Sequence, residues 1–231
     1  MSARVAMVIP TLNEEGAIGQ VIRAIPRDVI DDIIVVDSGS EDRTVEHARD
    51  AGARVIVEQE RGYGRACAAG ARAAGNCSVI VFLDGDGSDR PELVPLLLDP
   101  ILAGTHDFVI ASRTRGEREP GSMNGLQILA GYGAGALIRL LYGVAYTDMC
   151  AFRAIRREVL DQLGMREMTY GWNLEMQMRA ARARLRILEV PVAYRRRLRG
   201  VSKISGTVMG TLKAATRIGL TFARVAFQRV T

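Results

Sequence analysis

Cysteine is scarce in this chain. Cys67, Cys77 and Cys150 are odd in number and have no paired spacing, which argues against a disulfide framework or a zinc site and for a reducing compartment. Aromatics make up 5% of residues, with one tryptophan, Trp172, and two histidines, His47 and His106, which read as ordinary surface residues. No nucleic-acid recognition motif accompanies them, so a nucleic-acid partner is not expected. Long apolar runs are missing too. The longest uncharged stretch, 121–138, carries five glycines with Ser122, Asn124 and Gln127, too polar for a membrane span. Residues 1–10 form a short apolar segment without the longer apolar core and cleavage site of a signal peptide. Neither GxxxxGK[ST] nor a GxGxxG after a strand occurs, which excludes the ordinary P-loop and dinucleotide readings.

What the chain does have is a sizeable apolar share, 48% over 231 residues, enough to bury one large core. Charge is divided unevenly. From Arg179 onward stand 13 of the 31 Lys and Arg but one acid, Glu189, which leaves residues 1–178 with 18 basic and 25 acidic groups. A basic tail on an acidic body points to an anionic partner such as a membrane surface or a phosphate.

Apolar runs alternate with helical patterns. Strands are predicted at 4–10, 33–37, 53–58, 79–84 and 107–112, with helices near 15–25, 42–51, 64–74 and 91–102. Such alternation predicts a single α/β domain with a mostly parallel sheet flanked by helices. After Arg113 a polar, mobile loop is expected at 114–121, then helices near 124–141 and 172–184, and a terminal helix over 205–230. Ligands in open α/β sheets bind beyond the carboxyl ends of the strands. That rule gathers "PTLNEE" (10–15), "DSGSEDRT" (37–44), "ERGYGRA" (60–66), "DGD" (84–86) and "SR" (112–113) onto one rim. Each fragment alone has a bland reading as a helix cap or turn; five on one edge do not.

Asp84 and Asp86, one residue apart at the end of a buried strand, are placed to hold a hard divalent cation, Mg2+ or Mn2+, through oxygen. Such an ion is usually completed by substrate phosphates, and it neutralises charge developing on a diphosphate leaving group.

In this order, "IPTLNEE", "IIVVDSGSEDRT", "RGYGRA", "FLDGDGSDRPE" and "ASR" resemble the inverting GT-A-fold glycosyltransferases of family two. "TDMCAFRAIRREVL" (147–160), "YGWNLEMQMRA" (170–180), "RILEVPVAYRRR" (186–197) and "RLRGVSK" (197–203) narrow the resemblance to the polyprenyl-phosphate sugar synthases, the group that includes the dolichyl-phosphate mannose synthases. It covers roughly residues 4–205, the expected catalytic domain 1–205, leaving 206–231 as a basic amphipathic helix.

The resemblance implies a sugar transfer with inversion, from a nucleotide-diphosphate sugar to a polyprenyl phosphate. It implies that Pro10, Thr11, Asn13, Glu14, Asp37, Ser38, Gly64 and Gly85 shape the nucleotide-sugar site, and that Asp84 and Asp86 form the DxD metal element, with Asp86 the principal ligand. Arg113, Arg197, Ser202 and Lys203 would surround the phosphates, Arg113 acting with Asp86 in catalysis. Two departures bear on the donor. Ser88 stands where these synthases carry Gln, and "CAFR" (150–153) lacks the glycine of S-G-F-R. The sugar and base stay open.

Alternatives are a transferase acting on a soluble acceptor, such as a phosphorylated small acid, and a non-catalytic nucleotide-sugar-binding protein. An alcohol acceptor would need a base, for which Asp148 and Glu175 are candidates, each equally readable as an ion-pair partner. Trp172 reads either as a stacking platform or as core packing. The tail, with Lys213, Arg217, Arg224 and Arg229 and no acid, fits an anionic membrane, a terminal helix packed on the body with its arginines solvated, or a second subunit. The expected location is cytoplasmic, peripheral on the membrane's cytoplasmic face.

Overall fold

The computed structural model describes residues 3–199 and 208–227. One seven-stranded sheet runs in the order β3-β2-β1-β4-β6-β5-β7. Strands β1 (Val5–Thr11), β2 (Asp32–Asp37), β3 (Arg54–Val57), β4 (Val79–Phe82) and β5 (Phe108–Ser112) fall where the apolar runs placed them. All four residues of β4 are buried, as expected of a strand covered on both faces. At the edge, β3 has its two end residues exposed and its two middle ones half-buried. Helices α1 (Ile18–Arg23), α2 (Thr44–Asp50), α3 (Tyr63–Ala73) and α4 (Val94–Leu102) follow the first four strands, and α3 and α4 pack against the sheet.

Helix α1 is shorter than its sequence pattern, and side-chain competition explains why. Ser40 and Thr44 hydroxyls and the Asp42 carboxylate accept the backbone N–H groups of Asn13, Glu14 and Glu15. Those donors are satisfied outside a helix, and Asn13 adopts a left-handed φ of 52°.

The second half departs further. Strand β6 (Arg153–Arg156) runs antiparallel between β4 and β5, and β7 (Ile187–Pro191) pairs in parallel with β5. Because β6 is reversed, it begins on the rim where the parallel strands end. It is followed by α6 (Arg157–Leu163) and α7 (Trp172–Arg182). The 114–121 segment, expected to be mobile, is laced to the chain after β7. Glu119 N donates to Tyr194 O, Tyr194 N to Glu117 O, and Arg196 N to the Glu119 carboxylate.

Helix α5 (Gly125–Tyr142) starts with a reciprocal capping box between Asn124 and Gln127. Its buried face is Gly131, Gly135 and Ile138, while Leu126, Leu129, Tyr132, Leu137, Leu140 and Leu141 are exposed. The last helix, α8 (Val208–Phe227), packs on α7 with Val225 fully buried. Among the described residues no helix is long and apolar enough to cross a membrane.

Candidate active site

The site is built first by the exit of β4. Gly85 lies so close to β1 that a Cβ there would come within 2.7 Å of the Thr11 methyl, so no side chain fits between the two acids. The next turn fixes Asp86. Its Oδ1 accepts from Ser88 N at 2.8 Å and from the Ser88 hydroxyl at 2.5 Å. Ser88, one of the two departures in the sequence pattern, thus orients the neighbouring carboxylate.

The chain leaving β7 then crosses this turn. Arg195 N donates to Ser88 O and Leu198 N to Asp86 O, both at 3.1 Å. Between these two bonds stands Arg197, whose guanidinium reaches Asp86 Oδ2 at 2.8 Å and Glu14 Oε1 at 3.8 Å. One Asp86 oxygen therefore faces Ser88 and the other faces a cation.

Around this pair opens a cleft of roughly 340 Å³. Pro10, Thr11, Leu12 and Glu14 line it from the end of β1, and Ser38 from the end of β2. Arg61, Gly62 and Tyr63 come from the start of α3, Asp84, Gly85 and Asp86 from β4, and Thr169 and Tyr170 from the segment before α7. Leu12, Arg61 and Tyr63 lie in fragments that the sequence placed on this rim but were not singled out, whereas Thr169 and Tyr170 were not legible as site residues. Thr169 and Tyr170 belong to a segment without periodicity, far along the chain from the motifs they meet.

Burial dominates the electrostatics here. It pushes the Asp84 carboxyl up to about 6, and the Asp86 charge adds to the rise while Arg197 and Arg113 oppose it. Asp89, which no motif reading singled out, is buried behind them and pushed up to about 8, by burial first and by Asp84 next. Burial also raises the Tyr63 hydroxyl well above its usual value, and the neighbouring Asp84 charge adds to the rise. A wall of crowded, desolvated carboxylates suits a cation.

Among the described residues no group of three or more His, Cys, Asp or Glu side chains forms a metal cage. Two hard oxygen donors completed by phosphates are the donor set that Mg2+ or Mn2+ favours, so Asp84 and Asp86 fit such an ion.

The glycosyl transferase family 2 profile matches residues 6–164. The chain belongs to that family. It is 38% identical over 196 residues to a dolichyl-phosphate hexose transferase of Haloferax volcanii, covering 83% of each chain. It is 33% identical over 238 residues to an undecaprenyl-phosphate mannosyltransferase of Micrococcus luteus, covering 94% of each. Among solved structures it is similar to glucosyl-3-phosphoglycerate synthase of Mycobacterium tuberculosis in complex with Mn2+, UDP-glucose and phosphoglyceric acid. That likeness has a TM-score of 0.78 at 25% identity, over 100% of this chain and 82% of the other. The sheet order and flanking helices are those of a GT-A-type glycosyltransferase.

Several residues expected at the site of this glycosyltransferase support the cleft without lining it. Asn13 accepts the Glu41 N–H, which ties the loop after β1 to the loop after β2. Asp37 accepts from Gly39 N, Ser40 N, the Ser40 hydroxyl and the Thr11 hydroxyl, so its oxygens serve the turn. Gly64 lets the start of α3 pass against the Glu167 carbonyl, where a Cβ would sit 2.3 Å away. Ser202 and Lys203 lie outside the described residues.

Arg113 differs from expectation. It forms a two-point pair with the buried Asp148, Nε to Oδ2 and Nη2 to Oδ1 at 2.7 Å each, and stacks over Tyr194. Its charge still lowers Asp84 and Asp89, but its fork is directed at Asp148.

The two candidate bases are likewise engaged. Asp148 holds Arg113, and Glu175, fully buried, pairs with Arg179 at 2.9 Å and accepts two backbone N–H groups. Trp172 is core, edge-on to Phe82 with ring centroids 6.2 Å apart.

Proposed function

We propose that this family 2 enzyme transfers a sugar from a nucleotide-diphosphate sugar to a polyprenyl phosphate, with inversion and with Mg2+ or Mn2+ bound. The observation that carries the acceptor is the engagement of the acids. An alcohol must lose a proton as it attacks, yet the two candidate bases Asp148 and Glu175 are closed in ion pairs, Asp86 faces Arg197 and Ser88, and Asp84 is assigned with Asp86 to the cation. A phosphate monoester is already largely ionised near neutral pH, its second pKa being about 6, and needs only placement.

In the reaction the phosphate oxygen bonds to the anomeric carbon from the face opposite the diphosphate. The carbon–oxygen bond to the diphosphate breaks, and its electron pair leaves with that group. Asp84 and Asp86 would hold the cation, which neutralises charge on the departing diphosphate when bound. Thr11, Glu14 and Ser38 border the donor's nucleoside end. Arg197, together with Ser202 and Lys203, is assigned to the phosphates, where a guanidinium fork suits oxyanions. Arg113 supports from behind, held by Asp148.

The names of the Haloferax and Micrococcus relatives support a lipid-phosphate acceptor. The exposed leucines of α5, beside a single charge at Arg139, support peripheral attachment to a membrane, assigned to its cytoplasmic face. The second reading is transfer to a soluble phosphorylated acid, favoured by the likeness to glucosyl-3-phosphoglycerate synthase. One experiment separates them. UDP- and GDP-sugars with Mn2+ or Mg2+ are offered with undecaprenyl phosphate in one arm and 3-phosphoglycerate in the other. The first arm is expected to give product; product from the second arm alone overturns the lipid assignment.

A further inference from the structure

The segment 166–170 forms one wall of the cleft through Thr169 and Tyr170, yet it is neither helix nor strand. Its shape must be imposed by its neighbours. On the cleft side the start of α3 holds it: Gly64 N donates to Thr169 O at 3.2 Å and Arg65 N to Met168 O at 2.9 Å. On the other side two buried carboxylates hold it. Glu175 Oε2 accepts Arg166 N at 2.9 Å and Glu167 N at 2.6 Å, while Glu167 Oε1 accepts Thr169 N at 2.9 Å and the Thr169 hydroxyl.

Both carboxylates are completed by α8, from much further along the chain. Thr221 donates its hydroxyl to Glu167 Oε2 at 2.9 Å, and Arg224 reaches Glu167 at 3.4 Å and Glu175 at 3.3 Å. The sites are cut to fit, since a Cβ on Gly171 would lie 2.5 Å from the Thr221 hydroxyl oxygen. With α8 docked but lacking the Thr221 hydroxyl, Glu167 Oε2 would lose its hydroxyl donor while still covered, and without Arg224 the two acids would share one fewer cation. Burial pushes the Glu167 carboxyl up, but Thr169, Thr221 and Arg224 outweigh it and hold it below the ordinary range.

From this chain of contacts we infer that Thr221 and Arg224 are positioning residues for the sugar-donor cleft: docking of α8 fixes Glu167 and Glu175, these fix 166–170, and that segment sets the Thr169–Tyr170 wall and the start of α3. The tail is thereby a working part of the active site. As far as donor binding is concerned, the inference rests on the cleft being the nucleotide-sugar site.

The test uses the full chain and the variants Thr221→Val, Arg224→Gln, Arg224→Lys and the double variant T221V/R224Q. Leu220→Ala, on the exposed side of α8, is the control. Hydrogen exchange is read at the amides of Gly64, Arg65, Arg166, Glu167 and Thr169. Titration with UDP and with GDP, each with Mn2+, reads the cleft. Thr221→Val and Arg224→Gln are expected to speed exchange at these amides about tenfold, the loss of one hydrogen bond to a charged group. Whichever nucleotide binds should bind several-fold more weakly, with donor KM rising more than kcat falls. Arg224→Lys should recover most of the affinity, and Leu220→Ala should match the parent.

Unchanged exchange at all five amides in the double variant overturns the inference. So does faster exchange with nucleotide affinity intact. If the parent binds neither UDP nor GDP, it is the donor-site reading that fails, and the exchange arm still decides whether α8 sets the wall.

Discussion

The Arg197 guanidinium lies 2.8 Å from Asp86 Oδ2, so a basic group from the chain after β7 meets the acidic turn after β4 inside the cleft. On the proposed assignment, a cation at Asp86 and a phosphate at Arg197 would each replace half of that contact, so the pair would open toward two ligands of opposite charge.

The first prediction concerns that exchange of partners. Arg197→Ala should lower transfer to undecaprenyl phosphate by about 10² to 10³-fold, the scale for losing one donor that stabilises charge in a transition state. Nucleotide affinity should change only a few-fold. Steady-state transfer and UDP or GDP titration with Mn2+ check it, and parallel losses in both would count against an acceptor-side role.

Asp86→Asn tests the carboxylate itself. It keeps the shape and an oxygen for Ser88 but removes the charge, so turnover should fall to background while the melting curve stays cooperative. Excess chelator on the parent enzyme should have the same effect. Full turnover in either case would remove the divalent cation from the mechanism.

The first half of this fold was legible because its strands are unbroken apolar runs. The DGD turn was legible because two acids one residue apart at a buried strand end repel each other unless a cation joins them. Strand β6 was hidden because its first residue is Arg153, fully buried, with its guanidinium satisfied by the carbonyls of Cys150, Ala151 and Asn173. A pattern reading treats such an arginine as a surface residue. Ser88 was legible as a departure but not as the residue that orients Asp86. The roles of Asp148 and Glu175 were undecidable in the sequence, since a base and an ion-pair partner look alike until the partner is placed. The basic tail read equally as a membrane face or as a helix packed with its arginines solvated, yet Arg224 is directed at Glu167 and Glu175, partners that no helical wheel of the tail alone contains.

Asp148→Asn decides the base question. If Asp148 only holds Arg113, transfer should fall moderately, about tenfold, as a displaced positioning group would, and the pH profile should keep its shape. A general base would instead take the acid limb of the kcat profile with it. Loss of that limb would favour an alcohol acceptor.

The raised carboxyls set a pH dependence of stability. Asp84 at about 6 and Asp89 at about 8 lie above the unfolded value of about 4, so the folded state holds more protons than the unfolded one across that window. Their stabilising contribution is present below pH 4 and is lost as pH rises through 6 and then 8. In chelator, melting temperatures should therefore fall between pH 5 and pH 8 by more in the parent than in Asp84→Asn. Mn2+ needs the charged carboxylates, so it should raise the melting temperature strongly at pH 8 and little at pH 5. Equal stabilisation by Mn2+ at both values would sink this account.

The last prediction concerns α5. Leu129 and Leu140 are 69% and 80% exposed, on a helix whose small residues Gly131 and Gly135 face the body. Burying an exposed leucine in an apolar phase contributes about 1.5 to 3 kcal/mol, so two together favour membrane attachment by roughly 10²-fold or more. Close packing accounts for the glycines, since a Cβ on Gly135 would collide with the Tyr146 carbonyl, but internal stability gains nothing from leucines presented to water. Leu129→Glu with Leu140→Glu should abolish sedimentation with vesicles containing anionic lipid, and the melting temperature should hold because neither side chain is packed. Transfer to undecaprenyl phosphate in vesicles should fall with binding, while transfer to a short, water-soluble polyprenyl phosphate should persist. A double variant that still sediments with vesicles would refute the role of α5; one that loses both activities equally would place these leucines in the acceptor path instead.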